Sequence, residues 1–318
     1  MDKLLRSILN RSLIGGIVLL CGCRMVDQKQ AKRSSDSYQK QALSQQAKQA
    51  GNLCEARQLL EQAIRINPND AGNHYQLADV LAKEKNHSAA VSELMRCKEL
   101  APSDARTYSR LAKIMHDEGS EEKALELVES ALQLDPYRVD ALMVHAKIMQ
   151  RRQRHDEAIS DYLLAMSQKP VVSDVAVELS SLYQELGRHQ EAVEVLQRGL
   201  RECRDEVGVQ EKLYWQIGLA HAGMEQWAMS EHYLSTAVKM ESHPGSAQLL
   251  YLAQVQNQMG ARSSAIATLE RHVGLYPHEP DGFSMLADLR GVSANRTIAA
   301  DDRGVSLPVR TASTEVLN

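Results

Sequence analysis

The residues whose types and spacing first suggest chemistry are Cys21 and Cys23, which flank a glycine in the stretch IVLLCGCRM at residues 17–25. Two neighbouring thiols can ligate a metal, form a redox-active pair or accept a covalent attachment. A zinc site needs about four ligands, usually in two separated pairs, and the sequence has no second CxC or CxxC. A redox pair belongs on a folded scaffold rather than at the end of an apolar leader. The context therefore favours covalent attachment.

The segment before these cysteines has the layout of a secretory signal peptide. Residues 1–11 carry three basic residues against one acid, and a short apolar run follows from Ser12 to Leu20, as in a signal peptide. The uncharged run from Ser12 to Cys23 is only twelve residues long, whereas a membrane-spanning helix needs about 20 mainly apolar residues. We therefore expect a signal peptide at residues 1–22 rather than a permanent span.

The end of this leader, Leu20-Cys21-Gly22-Cys23, resembles the bacterial lipobox. The resemblance implies that the signal is cut before Cys23, that Cys23 is lipidated, and that Cys21 leaves with the signal. The mature chain would then be anchored to a membrane through lipid, facing the periplasm or the exterior. Residues 23–36 are polar with little helical pattern and are interpreted as a flexible tether, and residues 292–318 as a disordered tail.

A fixed period runs through the remainder of the chain, and such a period marks stacked structural repeats. Prolines recur every 34 residues, at Pro68, Pro102, Pro136 and Pro170. Alanine stands twelve residues before each of them, at Ala56, Ala90, Ala124 and Ala158, and a small residue stands five before, at Ala63, Cys97, Ala131 and Ala165. The column thirteen residues before the first set of alanines holds Leu43, Leu77, Leu111 and, as the exception, His145. Small residues allow close helix packing, and proline ends a helix because it cannot donate the backbone hydrogen bond.

These columns resemble the tetratricopeptide repeat, a helix pair of 34 residues. The resemblance implies an all-α protein, a right-handed α-solenoid of about seven helix pairs with a C-terminal capping helix. Glycine at position 15 of a repeat, as at Gly51 and Gly119, suits the turn between its two helices. The expected solenoid covers 37–291, with repeats near 37–70, 71–104, 105–138, 139–172, 173–206, 211–244 and 246–279, and a cap at 280–291.

Composition and motifs argue against several functional classes. Behind the basic leader the chain is acidic, with a net charge of −4 overall, and a nucleic-acid binder would show a basic domain instead. The sequence contains no HExxH, P-loop, dinucleotide fingerprint or nucleophile elbow, so we expect no enzyme activity, cofactor or small-molecule substrate. The histidines His87, His155 and His189 are expected to be turn and packing residues rather than metal ligands.

Members of this repeat family bind an extended peptide or a partner helix in a concave groove lined by the first helix of each repeat. By that resemblance, the middle of the groove displays basic residues and its C-terminal part displays apolar or amphipathic ones: Arg106, Arg110, Lys113, Lys147 and Arg151, then Trp215, Leu219, Leu250 and Tyr251. Basic side chains predict a carboxylate-bearing ligand. The alternative is that these bases pair with acidic neighbours such as Asp79, Asp117 and Glu118 on a solvated face.

Three functions remain open at this point. The first is a lipid-anchored scaffold that recruits other proteins for assembly or secretion in the bacterial cell envelope. The second is a cytoplasmic adaptor or chaperone whose leader only resembles a signal. The third is a non-catalytic subunit of an envelope enzyme complex.

Overall fold

The computed structural model describes residues 32–168, 173–202 and 207–291, and within these ranges the chain forms fifteen α-helices and no strand. This confirms the predicted all-α fold. The helices are α1 (32–49), α2 (Leu53–Ile66), α3 (Ala71–Lys83), α4 (His87–Leu100), α5 (Ala105–Asp117), α6 (Glu121–Leu134), α7 (Val139–Arg151), α8 (His155–Ser167), α9 (Ser173–Glu185), α10 (His189–Glu202), α11 (Val207–Gly223), α12 (Trp227–Met240), α13 (Ser246–Gln258), α14 (Arg262–Leu275) and α15 (Pro280–Arg290). In these ranges, none of the helices combines the length and apolarity needed to cross a bilayer.

The described helices fall into two compact units, one with α1 to α9, up to Leu186, and one with α10 to α15, from Gly187 onward. In unit 1, α3 packs on α4, α5 on α6 and α7 on α8, and each pair also contacts the next. In unit 2, α11 packs on α12 and α13 on α14, and α15 lies against α14. Both units are therefore built from antiparallel helix pairs joined by short turns.

The small-residue columns let the helices of each pair approach closely. Ala56, Ala90, Ala124 and Ala158 of the second helices are completely buried, as are Ala78, Ala112 and Ala146 of the first helices. A larger residue fills the space beside each of them: Leu60, Leu94, Val128 and Tyr162. His145 interrupts the leucine column, and its Nδ1 lies 2.6 Å from Asp161 Oδ2 of the paired helix. His145, the polar residue in this leucine column, therefore finds its hydrogen-bond partner within its own helix pair.

The turn inside each helix pair contains one residue in the left-handed conformation. Glycine occupies this position in four turns, with φ between 69° and 79°, at Gly51, Gly119, Gly187 and Gly260. In the other turns the position is filled by Lys85, Gln153 and Glu225, with φ between 57° and 61°. The repeat therefore requires the left-handed backbone conformation at this position, and residues other than glycine can adopt it. A side chain there costs about 1–2 kcal/mol of backbone strain.

The N-terminal boundary differs from the sequence prediction. Residues 32–36, assigned to the tether, already belong to α1, whereas residues 23–31 lie outside the described residues. All five side chains at 32–36 are exposed, so no apolar periodicity could reveal the helix. The helix is secured one residue later, because buried Ser37 donates to Ala63 O at 3.2 Å and accepts from Asn73 Nδ2 at 2.9 Å. Cys23, the predicted signal peptide at 1–22, Pro170 and the predicted tail at 292–318 also lie outside the described residues.

Candidate functional site

Charged side chains on the first helices of unit 1 are joined across neighbouring repeats. Lys48 Nζ of α1 donates to Asp79 Oδ2 of α3 at 3.0 Å, and Arg110 of α5 contacts the other oxygen of that carboxylate. Both pairs are 31 residues apart, three fewer than the repeat length, so a side chain on one first helix faces a position almost one turn earlier on the next. We call the side of α1, α3, α5, α7 and α9 that carries these residues the first-helix face.

Asp79 is the negative centre of this part of the face. Lys83 lies 4.0 Å from the same carboxylate, so one acid is shared by three cations. Burial by itself raises the pKa of Asp79, but the hydrogen bond from Lys48 and the charges of Arg110, Lys48 and Lys83 outweigh it and lower the pKa below its ordinary value. Asp79 therefore stays ionised, and positive charge remains in excess around it.

The same spacing recurs at the far end of the face. Lys147 Nζ of α7 lies 2.5 Å from Glu178 Oε1 of α9, again 31 residues on. Next to this pair, Gln150 Nε2 donates to Glu185 Oε2 at 2.8 Å. From the sequence, Asp79 was named only as a neighbour in the alternative interpretation and Glu178 was not named, although a search for opposite charges at a spacing of 31 residues would have found both.

Between α5 and α7 themselves the spacing pairs no opposite charges, although Arg152, just after α7, lies 2.6 Å from Glu121 at the start of α6, again 31 residues apart. The same spacing sets Lys113 opposite the apolar Val144 and His116 opposite Lys147. Lys113 and Arg151 are exposed, and neither has an acidic partner within 4 Å in the part of the chain that the structure describes. Two cations on adjoining helices are therefore left without counter-charges.

His116 lies close enough to Arg151 and Lys147 to feel their charge. Its side chain is 6% exposed, and its Nδ1 has no hydrogen-bond partner among the described residues. Burial lowers the pKa of His116, and the charges of Arg151 and Lys147 lower it further, against the opposite effect of Asp117 and Glu121. The imidazole is therefore neutral at neutral pH and does not add to the positive charge.

The five predicted basic residues thus divide into two groups. Arg106 bonds the carboxylate of Asp104 at 2.9 Å and lies over the Tyr75 ring, 5.4 Å from its centre. Arg110 and Lys147 are also paired, as the alternative interpretation expected, although within the described residues Asp117 and Glu118 form no ion pair. Only the unpaired cations keep their full charge for a ligand, and they are Lys113 and Arg151.

The predicted apolar residues belong to unit 2 and form two separate packing groups. Trp215, Leu219 and Tyr251 lie half-buried against one core cluster, and the Trp215 and Tyr251 rings meet edge to face with centres 6.0 Å apart. Burial raises the pKa of Tyr251. Leu250 packs instead with the cluster of Leu286, at the capping helix. The structure therefore joins three of these four residues into one surface.

One cluster in unit 2 resembles a hydrolase triad by composition but not by geometry. Ser246 Oγ lies 2.8 Å from Nε2 of His272, and Glu279 contacts both the hydroxyl and that same nitrogen. A triad needs the acid on the opposite ring nitrogen, and here Nδ1 is buried without a partner among the described residues. His272 is completely buried. The cluster therefore fastens the start of α15 to α13 and α14 rather than activating a nucleophile.

The remaining residues with metal-binding or redox chemistry are dispersed. His87, His155 and His189 each begin the second helix of a pair. In the described ranges no three His, Cys, Asp or Glu side chains are grouped to hold a metal ion. Cys54 is exposed and Cys97 is buried, and both are free thiols, whereas Cys203 lies outside the described residues.

Comparison with protein families agrees with the helix pairs and their period. Models of the tetratricopeptide repeat match residues 47–114 and residues 173–206. The chain therefore contains tetratricopeptide repeats, a class whose stacked helix pairs create extended surfaces for binding other proteins. No curated protein sequence matches the chain.

Several solved structures share the fold at low sequence identity. A structure described as a functional characterisation of Pseudomonas aeruginosa pilF is 19% identical, with a TM-score of 0.57 over 70% of this chain and 100% of that one. PilW, described as a widely conserved type IV pilus biogenesis factor, is 14% identical, with a TM-score of 0.60 over 68% and 98% of the two chains. A tetratricopeptide repeat protein from Parabacteroides merdae is 14% identical, with a TM-score of 0.52 over 80% and 99%. These similarities establish the fold and leave the ligand to this chain's own residues.

Proposed function

We propose that the protein is a non-enzymatic scaffold that binds other proteins through its first helices and is held at a membrane of the bacterial cell envelope by lipid. The observation that carries the binding role is the first-helix face of unit 1, where charged residues follow a regular register yet Lys113 and Arg151 remain exposed and unpaired among the described residues. Stacked repeats of this kind offer an extended surface that suits a peptide or a helix.

The predicted groove residues take different parts in this proposal. In unit 1, Arg106, Arg110 and Lys147 form its charged framework, and Lys113 and Arg151 are the contacts that remain open to a ligand. In unit 2, a second contact would hold aliphatic side chains against the half-buried Trp215, Leu219 and Tyr251, and Leu250 would contribute from its separate packing group at the capping helix. Aromatic residues of this kind are enriched at protein interfaces.

The membrane part of the proposal rests on the leader. A basic n-region, a short apolar segment and Leu20-Cys21-Gly22-Cys23 stand in the order that a lipoprotein signal requires. Two or more acyl chains on Cys23 would give stable anchoring, where a single chain is marginal. Residues 24–31 would then separate the anchor from α1. Assembly of an envelope structure fits this placement, and one protein of similar fold is described as a pilus biogenesis factor.

Membrane fractionation with mass spectrometry of the amino-terminal peptide tests the anchor. We expect the protein in the membrane fraction and a first peptide that begins at a lipid-modified Cys23. The variant Cys23→Ser is the matched control, and it should keep its signal and lose the lipid mass. An unmodified peptide beginning at Met1, in the soluble fraction, would instead support the cytoplasmic adaptor.

Purification with bound partners distinguishes the scaffold function from the third interpretation, a non-catalytic subunit of an envelope enzyme complex. A scaffold should co-purify with structural or secretory components in the absence of a fixed catalytic subunit. Recovery of one enzyme in constant stoichiometry would favour the third interpretation.

A further inference from the structure

The last helix of the fold, α15, has the place of a first helix but lacks a second helix among the described residues. It begins at Pro280, directly after the repeat at 246–279, and it packs on α14. In the pairs α3–α4, α5–α6, α7–α8, α11–α12 and α13–α14, the first helix packs more extensively on its own second helix than on the preceding one. Helix α15 therefore makes the smaller of these two contacts and lacks the larger.

Two positions of a first helix face its own second helix. At position 4 of the repeat, His74 Nδ1 lies 2.7 Å from Glu93 Oε2 of α4. At position 8, the Gly218 carbonyl accepts a hydrogen bond from Ser230 Oγ of α12 at 2.8 Å, and a Cβ on Gly218 would lie only 2.6 Å from Leu234. A small residue at position 8 is therefore needed wherever a second helix packs closely.

Both of these positions are open in α15. Phe283 at position 4 is 46% exposed, and Ala287 at position 8 is partly exposed. In the complete pairs of unit 1 and in α13–α14, by contrast, position 8 is at most 1% exposed, at Ser44, Ala78, Ala112, Ala146 and Ala253. We call Phe283 and Ala287 the open face of α15. This face has the small residue that admits a close second helix, but the described residues supply no such helix.

The segment directly after α15 does not have the sequence of a second helix. In the pair α5–α6, the completely buried residues of α6 stand 5, 9 and 12 residues after the left-handed Gly119, and they are small, larger and small: Ala124, Val128 and Ala131. The left-handed Gly291, with a φ of 73°, ends α15. Counted from Gly291, the same places hold Arg296, Ala300 and Arg303. Arginine at both small positions would prevent close packing, so we expect the missing helix to come from another molecule.

We propose that the open face of α15 binds an α-helix of a partner protein, whose apolar stripe carries a small, a larger and a second small residue at i, i+4 and i+7. This is the pattern of α6, and it lets the bound helix pack on Ala287 as α12 packs on Gly218. The occupant completes the last helix pair, and the 14 residues of α6 give its length. The open face belongs to unit 2 and shares no residue with the contacts of the proposed function.

Fluorescence anisotropy with a labelled synthetic peptide tests the proposal on the purified protein. The probe has the sequence of α6, Glu121–Leu134. Isolated helices of this length are marginal in water, so the probe also carries Glu126→Lys and a lactam bridge from that position to Glu122, both exposed in the fold. The control peptide has the same bridge together with Ala124→Leu and Ala131→Leu, which make it more apolar but too bulky for close approach.

The two peptides should differ clearly in affinity. An interface made by one helix lies at the small end of the range for protein complexes, below about 1,200 Å², so we expect saturable binding of the probe at micromolar concentration. The control peptide should bind at least about tenfold more weakly, a loss of about 1.4 kcal/mol. Binding driven by apolar surface alone would instead favour the control, because its two leucines add apolar area.

Variants of α15 locate the site. Ala287→Leu should weaken binding of the probe by about tenfold or more, because it fills the space that the bound helix needs. Ala287→Ser is the matched control and should change binding by less than about twofold, since serine occupies position 8 at the buried Ser44. Phe283→Ala removes a half-exposed ring and should also weaken binding. The melting temperature of each variant checks that unit 2 stays folded.

Several results would overturn the proposal. They are equal binding of the probe and the control peptide, undiminished binding by Ala287→Leu, and no saturable binding up to about 1 mM. A concentration-dependent dimer that Ala287→Leu abolishes, measured by sedimentation, would assign the open face to a second copy of the chain. A tenfold or greater gain in probe affinity on removal of 292–318 would assign it to that segment. The first-helix face of unit 1 is tested by other variants, so a failure here is distinguishable from a failure of the scaffold function.

Discussion

Replacing Asp79 by asparagine should make unit 1 less stable and yet make the first-helix face a stronger binder of acidic peptides. The Asp79 side chain is 20% exposed and is shared by Lys48, Lys83 and Arg110. Asparagine preserves the shape and removes the charge. The partly buried Lys48 and Arg110 and the exposed Lys83 then lose their counter-charge, which costs stability, and they become available to a ligand carboxylate.

The expected loss can be scaled from the burial of the group. Leaving a partly buried charged partner unpaired costs about 1–3 kcal/mol, and because the site retains some solvent we expect the lower half of that range. Glu99→Gln is the matched control, since Glu99 pairs with Arg96 on an open surface with 64% of its side chain exposed. Exposed pairs contribute about 0–1 kcal/mol, so this control should change little.

Urea unfolding measures the change in stability. A fluorescence-anisotropy titration with an acidic probe, a short peptide that carries two glutamates, measures the change in affinity on the same preparation. We expect the unfolding midpoint of Asp79→Asn to fall while its affinity for the acidic probe rises by about threefold or more, since one competing carboxylate is removed. Because the pKa of Asp79 is lowered in the folded state, its contribution is present above the ordinary aspartate pKa, about 3.9, and is lost as pH falls below it. An unchanged midpoint, or reduced affinity for the probe, would refute this account of the face.

Further predictions concern the turns, the cap and a buried histidine. Gln153→Gly should raise the free energy of unfolding by about 0.5–1 kcal/mol, measured by urea titration, because φ there is 60°. Gly282→Ala should destabilise unit 2 by about 1–3 kcal/mol, seen as a lower melting temperature, because a Cβ would lie 2.1 Å from His272 Nδ1. Burial, followed by the charge of Arg151, lowers the pKa of His116, so protonation favours the unfolded chain. Stability measured by urea titration should therefore fall below about pH 6.5, and less steeply in His116→Gln.

The helix pairs could be predicted because the constraint on them is local and periodic. Close packing admits only a small side chain at positions such as Ala90 and Ala124, so the requirement is visible as a column in the sequence. The left-handed turn position is less visible. Gly119 indicates it, but Lys85 and Gln153 occupy it too, since the surrounding helices impose a conformation that a side chain can adopt at moderate cost.

The binding face was only partly predictable. The positions of Arg110 and Lys113 in the repeat predicted that both lie on the same face. Whether each is paired or unpaired depends on which residue of the neighbouring first helix lies opposite it. That residue is Asp79 for Arg110 and Val144 for Lys113, and the offset of 31 residues appears only when the helices are stacked. Once known, the offset can be applied to sequence alone. The start of α1 could not be predicted, because exposed polar residues carry no periodic signal.

The most direct test of the scaffold function is site-specific photocrosslinking in cells. A photoreactive amino acid replaces Asp117 on the first-helix face, and in a second variant it replaces Lys123, an exposed residue on the second helix α6. We predict a discrete crosslinked protein from position 117, lost when Lys113→Gln/Arg151→Gln is added, and none from position 123. The same product from both positions, or a product from position 123 alone, would contradict the assignment of partner binding to the first helices.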